Sequence, residues 1–371
     1  MSLPESPTPD EGGFSEVSAP DEDAVAGPWP LADLGWNDTR RAEAATLAPE
    51  DTPGRVVRTD RGSCLVAIEL ALRTIPVRTA PYAPAVGDWV TVDHRSSEPR
   101  ITAILERTTT FARGTAAERG HDGSVVDHQI LATNVDLALV VQAAGQLNPR
   151  RLERELLIAS GATRSAVVVT KVDLVTDLAT VLASFGPVIG ERPLIPVSST
   201  TGVGFDQLHL QLTPGTTLAC FGASGVGKST LINTLLRGDY LATGATRTSD
   251  GRGRHTTTTR ELFPLGDGVT VIDMPGVRTL TATATVEDVD ALFEDVTQNL
   301  DSCRFADCQH DSEPGCAIRA AIENGQLSED RFVAYGELLR EAADRRRLSD
   351  TLETRSAGGR RRNKRRDGKR G

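Results

Sequence analysis

The rhythm of hydrophobic and polar positions changes three times along the chain. From Gly54, short apolar and β-branched runs at 55–59, 63–68, 74–78, 88–92 and 100–106 alternate with turns. Five short strands in about fifty-five residues predict a small barrel, for which the five-stranded OB-fold is the candidate. From 135 the runs become continuous: 135–142, 165–170, 193–198, 217–221 and 269–272, with a helical stretch over 149–161. Continuous apolar strands alternating with helices predict a parallel sheet covered on both faces. Beyond 284 the pattern is helical to about Arg347, with Tyr335, Leu338 and Leu339 on one face. Residues 113–128 are Gly-rich and polar and read as a linker or flexible loop. The fold class is therefore multidomain: an N-terminal β-barrel (OB-fold), a central α/β domain and a C-terminal helical domain. The expected boundaries are an acidic disordered tail over 1–53, the barrel over 54–111, the α/β domain over 112–284, the helical domain over 285–348 and a basic disordered tail over 349–371. Within the first tail, Trp29 and Trp36 mark either a docking point or a short helix.

Charge sharpens this division. The net charge of −10 hides an acidic first fifty residues and a strongly basic end from Arg355 onward. The basic tail suits nucleic-acid phosphates, or else only aids solubility. No run approaches the ~20 apolar residues of a membrane span, and the N-terminus lacks a basic-then-apolar start. The expectation is a cytoplasmic protein without a membrane partner. Five cysteines in such a chain do not read as a disulfide framework. Cys64 and Cys220 lie in apolar runs and are expected in the core.

Gly222-Ala223-Ser224-Gly225-Val226-Gly227-Lys228-Ser229 is a full G-x-x-x-x-G-K-S loop between an apolar run and the helical stretch that opens with Thr230. Its glycines let successive N–H groups face a phosphate at a helix N-terminus. Lys228 would reach the β- and γ-phosphates, and Ser229 would ligate Mg²⁺. Asp273-Met-Pro-Gly276 follows the next apolar run, with Asp273 expected in the Mg²⁺ shell and the Gly276 N–H at the γ-phosphate. Between them, Arg252–Arg260 is the expected first switch, in which one of Thr256–Thr259 completes the Mg²⁺ coordination. Thr170-Lys171-Val172-Asp173 has the pattern of a guanine-reading loop. The Asp173 carboxylate would accept from guanine N1 and N2, groups adenine does not offer; Lys171 would lie along the ring, and Ser198-Ser199 would complete the base loop. These base-reading elements precede the phosphate loop, so the order of parts is circularly permuted. A sheet tolerates this because the ligand edge depends on strand packing.

Cys303-x4-Cys308-x-His310-x5-Cys316 offers three thiolates and one imidazole in fourteen residues. Four N/S ligands favour one closed, tetrahedral, structural Zn²⁺. Asp311 and Glu313 are either outer contacts of this site or solvated.

The permuted order, Pro84-Ala-Val-Gly-Asp-Trp-Val90, Gly253-Arg-His-Thr-Thr-Thr258 and the Asp301–Cys316 segment together resemble the RsgA (YjeQ/EngC) family, from about Gly54 to about Arg347. The resemblance implies an OB-fold, a permuted P-loop GTPase domain and a zinc-binding C-terminal domain. It also implies a GTP hydrolase, taken as a monomer, that binds the small (30S) ribosomal subunit and its 16S rRNA late in assembly and is stimulated by that particle. The family's usual N-K-x-D has Thr170 in place of Asn, whose shorter reach predicts a looser tie to the phosphate loop and weaker binding. The usual D-T-P-G has Met274 at its variable position. Ras-like enzymes place a water-orienting Gln after D-x-x-G; here Val277 stands there, so slow turnover is expected and His255 is the catalytic water-positioning candidate. Two other readings remain: an RNA-binding assembly factor with a weak nucleotide-sensing site, and an ATPase of the same loop type.

Overall fold

Residues 29–51, expected as part of a tail, pack against the N-terminal five-stranded sheet in the computed structural model. The model describes residues 29–69, 71–77, 83–95, 98–113, 129–238, 260–274, 284–311, 313–344 and 346–347. A 3-10 turn at Leu31–Leu34 buries both leucines. Helix α1 (Asp38–Leu47) starts at Asn37, whose side chain accepts from the Arg40 N–H. The Trp36 ring sits 5.1 Å from that of Trp89 in that sheet. The tail reading fails here because the few apolar residues of this segment bury against another element, which periodicity along the segment does not reveal.

Strands β1 (Thr52–Asp60), β2 (Ser63–Ile68), β3 (Ala71–Pro76), β4 (Trp89–Asp93) and β5 (Arg100–Ile104) form one antiparallel sheet in the order β3-β2-β1-β4-β5. The two outer strands, β3 and β5, approach each other. Val56, Val66, Val90, Val92 and Ile101 fill its core with Cys64. Burial pushes the Cys64 thiol up to about 12, as suits an inert core residue. Strands β6 (Thr110–Arg113) and β7 (Gln129–Thr133) make a two-stranded antiparallel ribbon that the hydrophobic pattern does not predict. Arg55 joins this five-stranded sheet to the six-stranded one. Its guanidinium donates to the Leu34 carbonyl and to Thr217 Oγ1 at 2.7 Å, under the Trp89 ring. Burial lowers its pKa to about 9.

The second sheet has the order β10-β9-β8-β11-β13-β12. It is built from β8 (Leu137–Ala143), helix α2 (Pro149–Ala159), β9 (Arg164–Thr170), short helices α3 (Leu178–Ala183) and α4 (Gly186–Ile189), β10 (Leu194–Pro196), α5 (Phe205–His209), β11 (Thr217–Phe221), α6 (Lys228–Leu236), β12 (Leu262–Gly266) and β13 (Val269–Asp273). All pairings are parallel except the edge pair β12–β13. β8, β9 and β11 are almost wholly buried, which explains their unbroken apolar runs. Cys220 is buried in β11. Edge strand β12 contains Pro264, tolerated because an edge leaves one side of the ladder unpaired. The left-handed Asp267 and Gly268 turn the hairpin, an Asp-Gly signal for β12 that apolar runs alone miss.

A C-terminal helical module follows: α7 (Val286–Leu292), α8 (Glu294–Leu300), α9 (Ala317–Glu323) and α10 over residues 329–344. Thr285 and Asp288 form a reciprocal capping box at α7. Tyr335 and Leu338 of α10 are buried and Leu339 is half-buried, on the face expected. No helix among the described residues is long and apolar enough to cross a membrane. The stretch 114–128, the first switch 252–259 with His255, the segment 275–283 with Gly276 and Val277, and the terminal stretches 1–28 and 348–371 lie outside the described residues.

Candidate functional site: nucleotide loops and a metal cluster

Parallel strands bring their C-terminal ends to one edge. Residues after β9, β10, β11 and β13 therefore converge, although the chain visits them in permuted order. The loop Gly222–Gly227 leaves β11 and opens into α6, whose first residues are Lys228, Ser229 and Thr230. Gly222, Gly225 and Gly227 all have positive φ. A Cβ on Gly222 would collide with the Val141 carbonyl oxygen of β8, so the loop can close against the sheet only with glycine there. Lys228 Nζ donates to the carbonyls of Gly222 and Ala223, each at 2.8 Å. Ser224 is exposed and Val226 buried, so the loop exposes backbone while anchoring one side chain in the core. Asp273, half-buried, ends β13 in register with Cys220, one residue before the end of β11. Ser229 and Asp273 are hard oxygen donors of the kind Mg²⁺ takes.

The loop after β9 is tied directly to the phosphate loop. The Thr170 hydroxyl is hydrogen-bonded to the Val226 carbonyl and lies 3.1 Å from the Gln142 carbonyl. Lys171, left-handed at φ 59, donates from Nζ to the Gly225 carbonyl at 2.7 Å. The tie expected to loosen with Thr at 170 is present, because β8 and β9 bring this residue close enough for a short side chain. Val172 is buried, and next to it Asp173 is exposed at the start of a 3-10 turn. Its carboxylate accepts no hydrogen bond among the described residues. The loop after β10 is joined by the Val172 N–H to the Val197 carbonyl at 3.4 Å. Ser198 is fully buried and its hydroxyl accepts from the Thr201 N–H at 3.1 Å; Ser199 is half-buried. Ser198 thus shapes the loop. Gly204 closes it, since a Cβ there would overlap the Pro196 carbonyl.

Two buried polar residues behind these loops escape the motif reading. Gln142 in β8 donates from its amide to Glu155 of α2, and both are at most 1 % exposed. Burial pushes the Glu155 carboxyl above its ordinary value. The signal in the sequence is a lone Gln in an otherwise apolar strand and a Glu on the apolar side of a helix.

Around the metal cluster, the ligand atoms of Cys303, Cys308, His310 and Cys316 all lie within 4.8 Å of one another. His310 Nδ1 is 3.5 Å from Cys303 Sγ and 3.6 Å from Cys316 Sγ. Zn–S of ~2.3 Å and Zn–N of ~2.1 Å at a tetrahedral angle put S and N about 3.6 Å apart, so the spacing fits a closed four-ligand site. The Ala317 and Arg319 N–H groups point at Cys303 Sγ and Cys316 Sγ at 3.4 and 3.5 Å, a second layer suited to thiolates. Glu313 is not merely solvated. Its two oxygens accept from the Gln309 and Asp311 N–H groups at 2.8 and 2.9 Å, bracketing left-handed His310. Asp311 is exposed.

Comparison with known proteins agrees with this geometry. A family model described as RsgA GTPase matches residues 104–283. A protein of Streptomyces coelicolor named small ribosomal subunit biogenesis GTPase RsgA is 41 % identical over 323 residues, covering 84 % of this chain and 86 % of its own. The chain belongs to the RsgA GTPase family. It is accordingly a GTP hydrolase. Another relative, small ribosomal subunit biogenesis GTPase RsgA 2 of Lactiplantibacillus plantarum, is 45 % identical, covering 70 % of this chain and 72 % of its own. The crystal structure of YjeQ from Thermotoga maritima shares the fold at a TM-score of 0.55 and 24 % identity, covering 79 % of this chain and 98 % of that one. That of YloQ, titled a circularly permuted GTPase, gives 0.53 at 25 % identity, covering 80 % and 96 %. An ABC transporter model also matches residues 205–363. That span holds the phosphate loop but not Thr170–Asp173, so the RsgA match accounts for more of the site.

Proposed function

We propose that this chain hydrolyses GTP to GDP and phosphate on the small ribosomal subunit, late in that subunit's assembly, and that the particle stimulates turnover. The observation that carries this reading is the direct hydrogen bonding of the Thr170–Asp173 loop to the loop Gly222–Gly227, which supports one nucleotide site built from two distant motifs. The names of the relatives support the ribosomal assignment. In this reading Gly222–Thr230 hold the phosphates, and Lys228 carries charge to the β- and γ-phosphates. Asp173 reads guanine while Lys171 covers the ring, and Ser198 and Ser199 support the base. Ser229 and Asp273 would hold Mg²⁺, which neutralises phosphate charge when bound; Gly276 would sense the γ-phosphate and His255 would orient the attacking water. Cys303, Cys308, His310 and Cys316 would hold one structural Zn²⁺. The β1–β5 order, with β1 between β2 and β4 and the ends converging, supports an OB-fold barrel. That barrel and the basic end of the chain suit contact with 16S rRNA. A cytoplasmic monomer is the simplest form of such a protein.

The test is GTP turnover with and without purified small subunits. Acceleration by the small subunit, and not by the large one, is expected; equal turnover in both would favour an RNA-binding factor with a weak nucleotide-sensing site. Base reading has its own test. Asp173→Asn replaces two accepting oxygens by one acceptor and one donor, so the Kd for GTP should rise by about 10²-fold or more, while xanthosine triphosphate gains affinity. Competition of fluorescent GDP by GTP, ATP and xanthosine triphosphate reads this. Unchanged selectivity would remove Asp173 from the role.

A further inference from the structure

Helix α2 carries two buried carboxylates two residues apart. At 100° per residue they face nearly opposite sides. Glu153, 2 % exposed, accepts from Arg331 Nη1 of α10 at 2.9 Å. The same guanidinium donates to both Asp295 oxygens, at 2.8 and 2.9 Å, and to the Leu292 carbonyl at 2.9 Å. It lies over the Phe293 ring, 4.2 Å from its centre. Arg331 thus knits the helical module together and reaches out of it to α2. The next residue, Phe332, is edge-on to the imidazole of the metal-cluster His310 at 5.8 Å.

On its other side α2 holds the nucleotide edge. Glu155 accepts from the Gln142 amide near the end of β8. The Gln142 carbonyl lies 3.1 Å from the Thr170 hydroxyl, and the Ala144 N–H donates to the Thr170 carbonyl at 2.8 Å. The neighbouring Val141 carbonyl abuts Gly222 of the phosphate loop. The end of β8 therefore bears on both the base loop and the phosphate loop, and α2 pins it there.

We infer that Arg331 and Glu153 are positioning residues for the nucleotide site. They hold α2 from the metal-bearing module so that Glu155 and Gln142 set the distance between the base and phosphate loops. Removing one partner of a buried ion pair leaves an uncompensated charge, so α2 does not shift freely against the module. Binding at such a site is sensitive to displacements of an ångström or less. The inference rests on the reading that guanine nucleotide occupies these loops.

Full-length protein carrying Arg331→Met, Glu155→Leu, or both tests it, by titration of fluorescent GDP at a temperature where every variant is folded, with metal content measured in parallel. Each single variant should raise the Kd for GDP by roughly 5–50-fold, within the usual range of coupling between sites. The double variant should be about as weak as the worse single one, because both act through α2. Glu155→Gln, which keeps a partner for Gln142, should bind nearly as wild type. Wild-type affinity in Arg331→Met with only a lower melting temperature would overturn the inference, as would factors that multiply in the double variant. If Arg331→Met does not fold, Glu153→Leu, which removes the Arg331 acceptor on α2 at similar volume, carries the same comparison. Wild-type protein that binds no guanine nucleotide would sink the functional reading itself; wild-type binding that survives unchanged in the variants sinks only this inference.

Discussion

Lys228→Ala is expected to lower kcat/KM for GTP by about 10²- to 10³-fold, the loss seen when one preorganised donor to developing charge is removed. The ammonium stands in the concave loop between Gly222 and α6, hydrogen-bonded to two loop carbonyls. Lys171 does not supply the same charge, since its Nζ donates to the Gly225 carbonyl on the base side. Stability should change little, because the side chain is half-buried and its known acceptors are backbone groups at the loop rim. Lys228→Arg keeps charge but replaces a compact ammonium by a planar fork that the narrow loop does not match, and should recover only part of the activity. Steady-state turnover over a range of GTP concentrations, with thermal melting alongside, decides this. Turnover of the Ala variant within threefold of wild type would exclude Lys228 from the reaction.

Stripping metal from the Cys303–Cys316 cluster should unfold the C-terminal module. Structural zinc contributes on the order of 10–16 kcal/mol to small folded sites, as much as the ~5–15 kcal/mol that holds a whole domain together. The segment 301–316 has no strand or helix among its described residues and turns through a left-handed His310. Its internal backbone bonds are few, so without a metal little holds the four ligands together. Cys308→Ser, or a strong chelator, should abolish one bound zinc per chain and broaden or remove a thermal transition. Acid should do the same, because thiols must lose their protons to bind. Full metal content and an unchanged melting profile in Cys308→Ser would refute the four-ligand site. Because Phe332 touches His310 and Arg331 reaches α2, nucleotide affinity should weaken with the metal.

Much of the molecule is legible along the chain where one element buries both faces or one loop needs a fixed residue. Unbroken valines announce β9, and the glycines of 222–227 announce a tight loop of positive-φ backbone opening into α6. The Cys/His spacing announces a metal cluster. What escapes is partnership between distant segments. Residues 29–51 read mostly as tail: Trp36 marks a docking point or a short helix, but the polar composition hides Leu31 and Leu34, which matter only against the N-terminal sheet. β12 and the β6–β7 ribbon escape because their short runs gain meaning only from the strands they pair with. Glu155 on the apolar side of α2 signals a buried acid, but the partners of Glu153 and Glu155, Arg331 and Gln142, arrive from elsewhere in the chain.

By itself, then, the amino-acid order determined which groups are present: a G-x-x-x-x-G-K-S loop, the Thr170–Asp173 motif, and three thiols with an imidazole that could hold a metal. These depend on residue types at short spacings, and short spacings survive any arrangement of the rest. Only the tertiary structure decided that Thr170 reaches Val226, that Glu313 brackets His310, and that the helical module shares one continuous core with the nucleotide sheet. The Glu313 bracket is local but depends on backbone conformation that residue types do not fix, whereas the other two join residues far apart in the chain, and their free energy appears only once burial has made a buried polar group costly to leave unpaired.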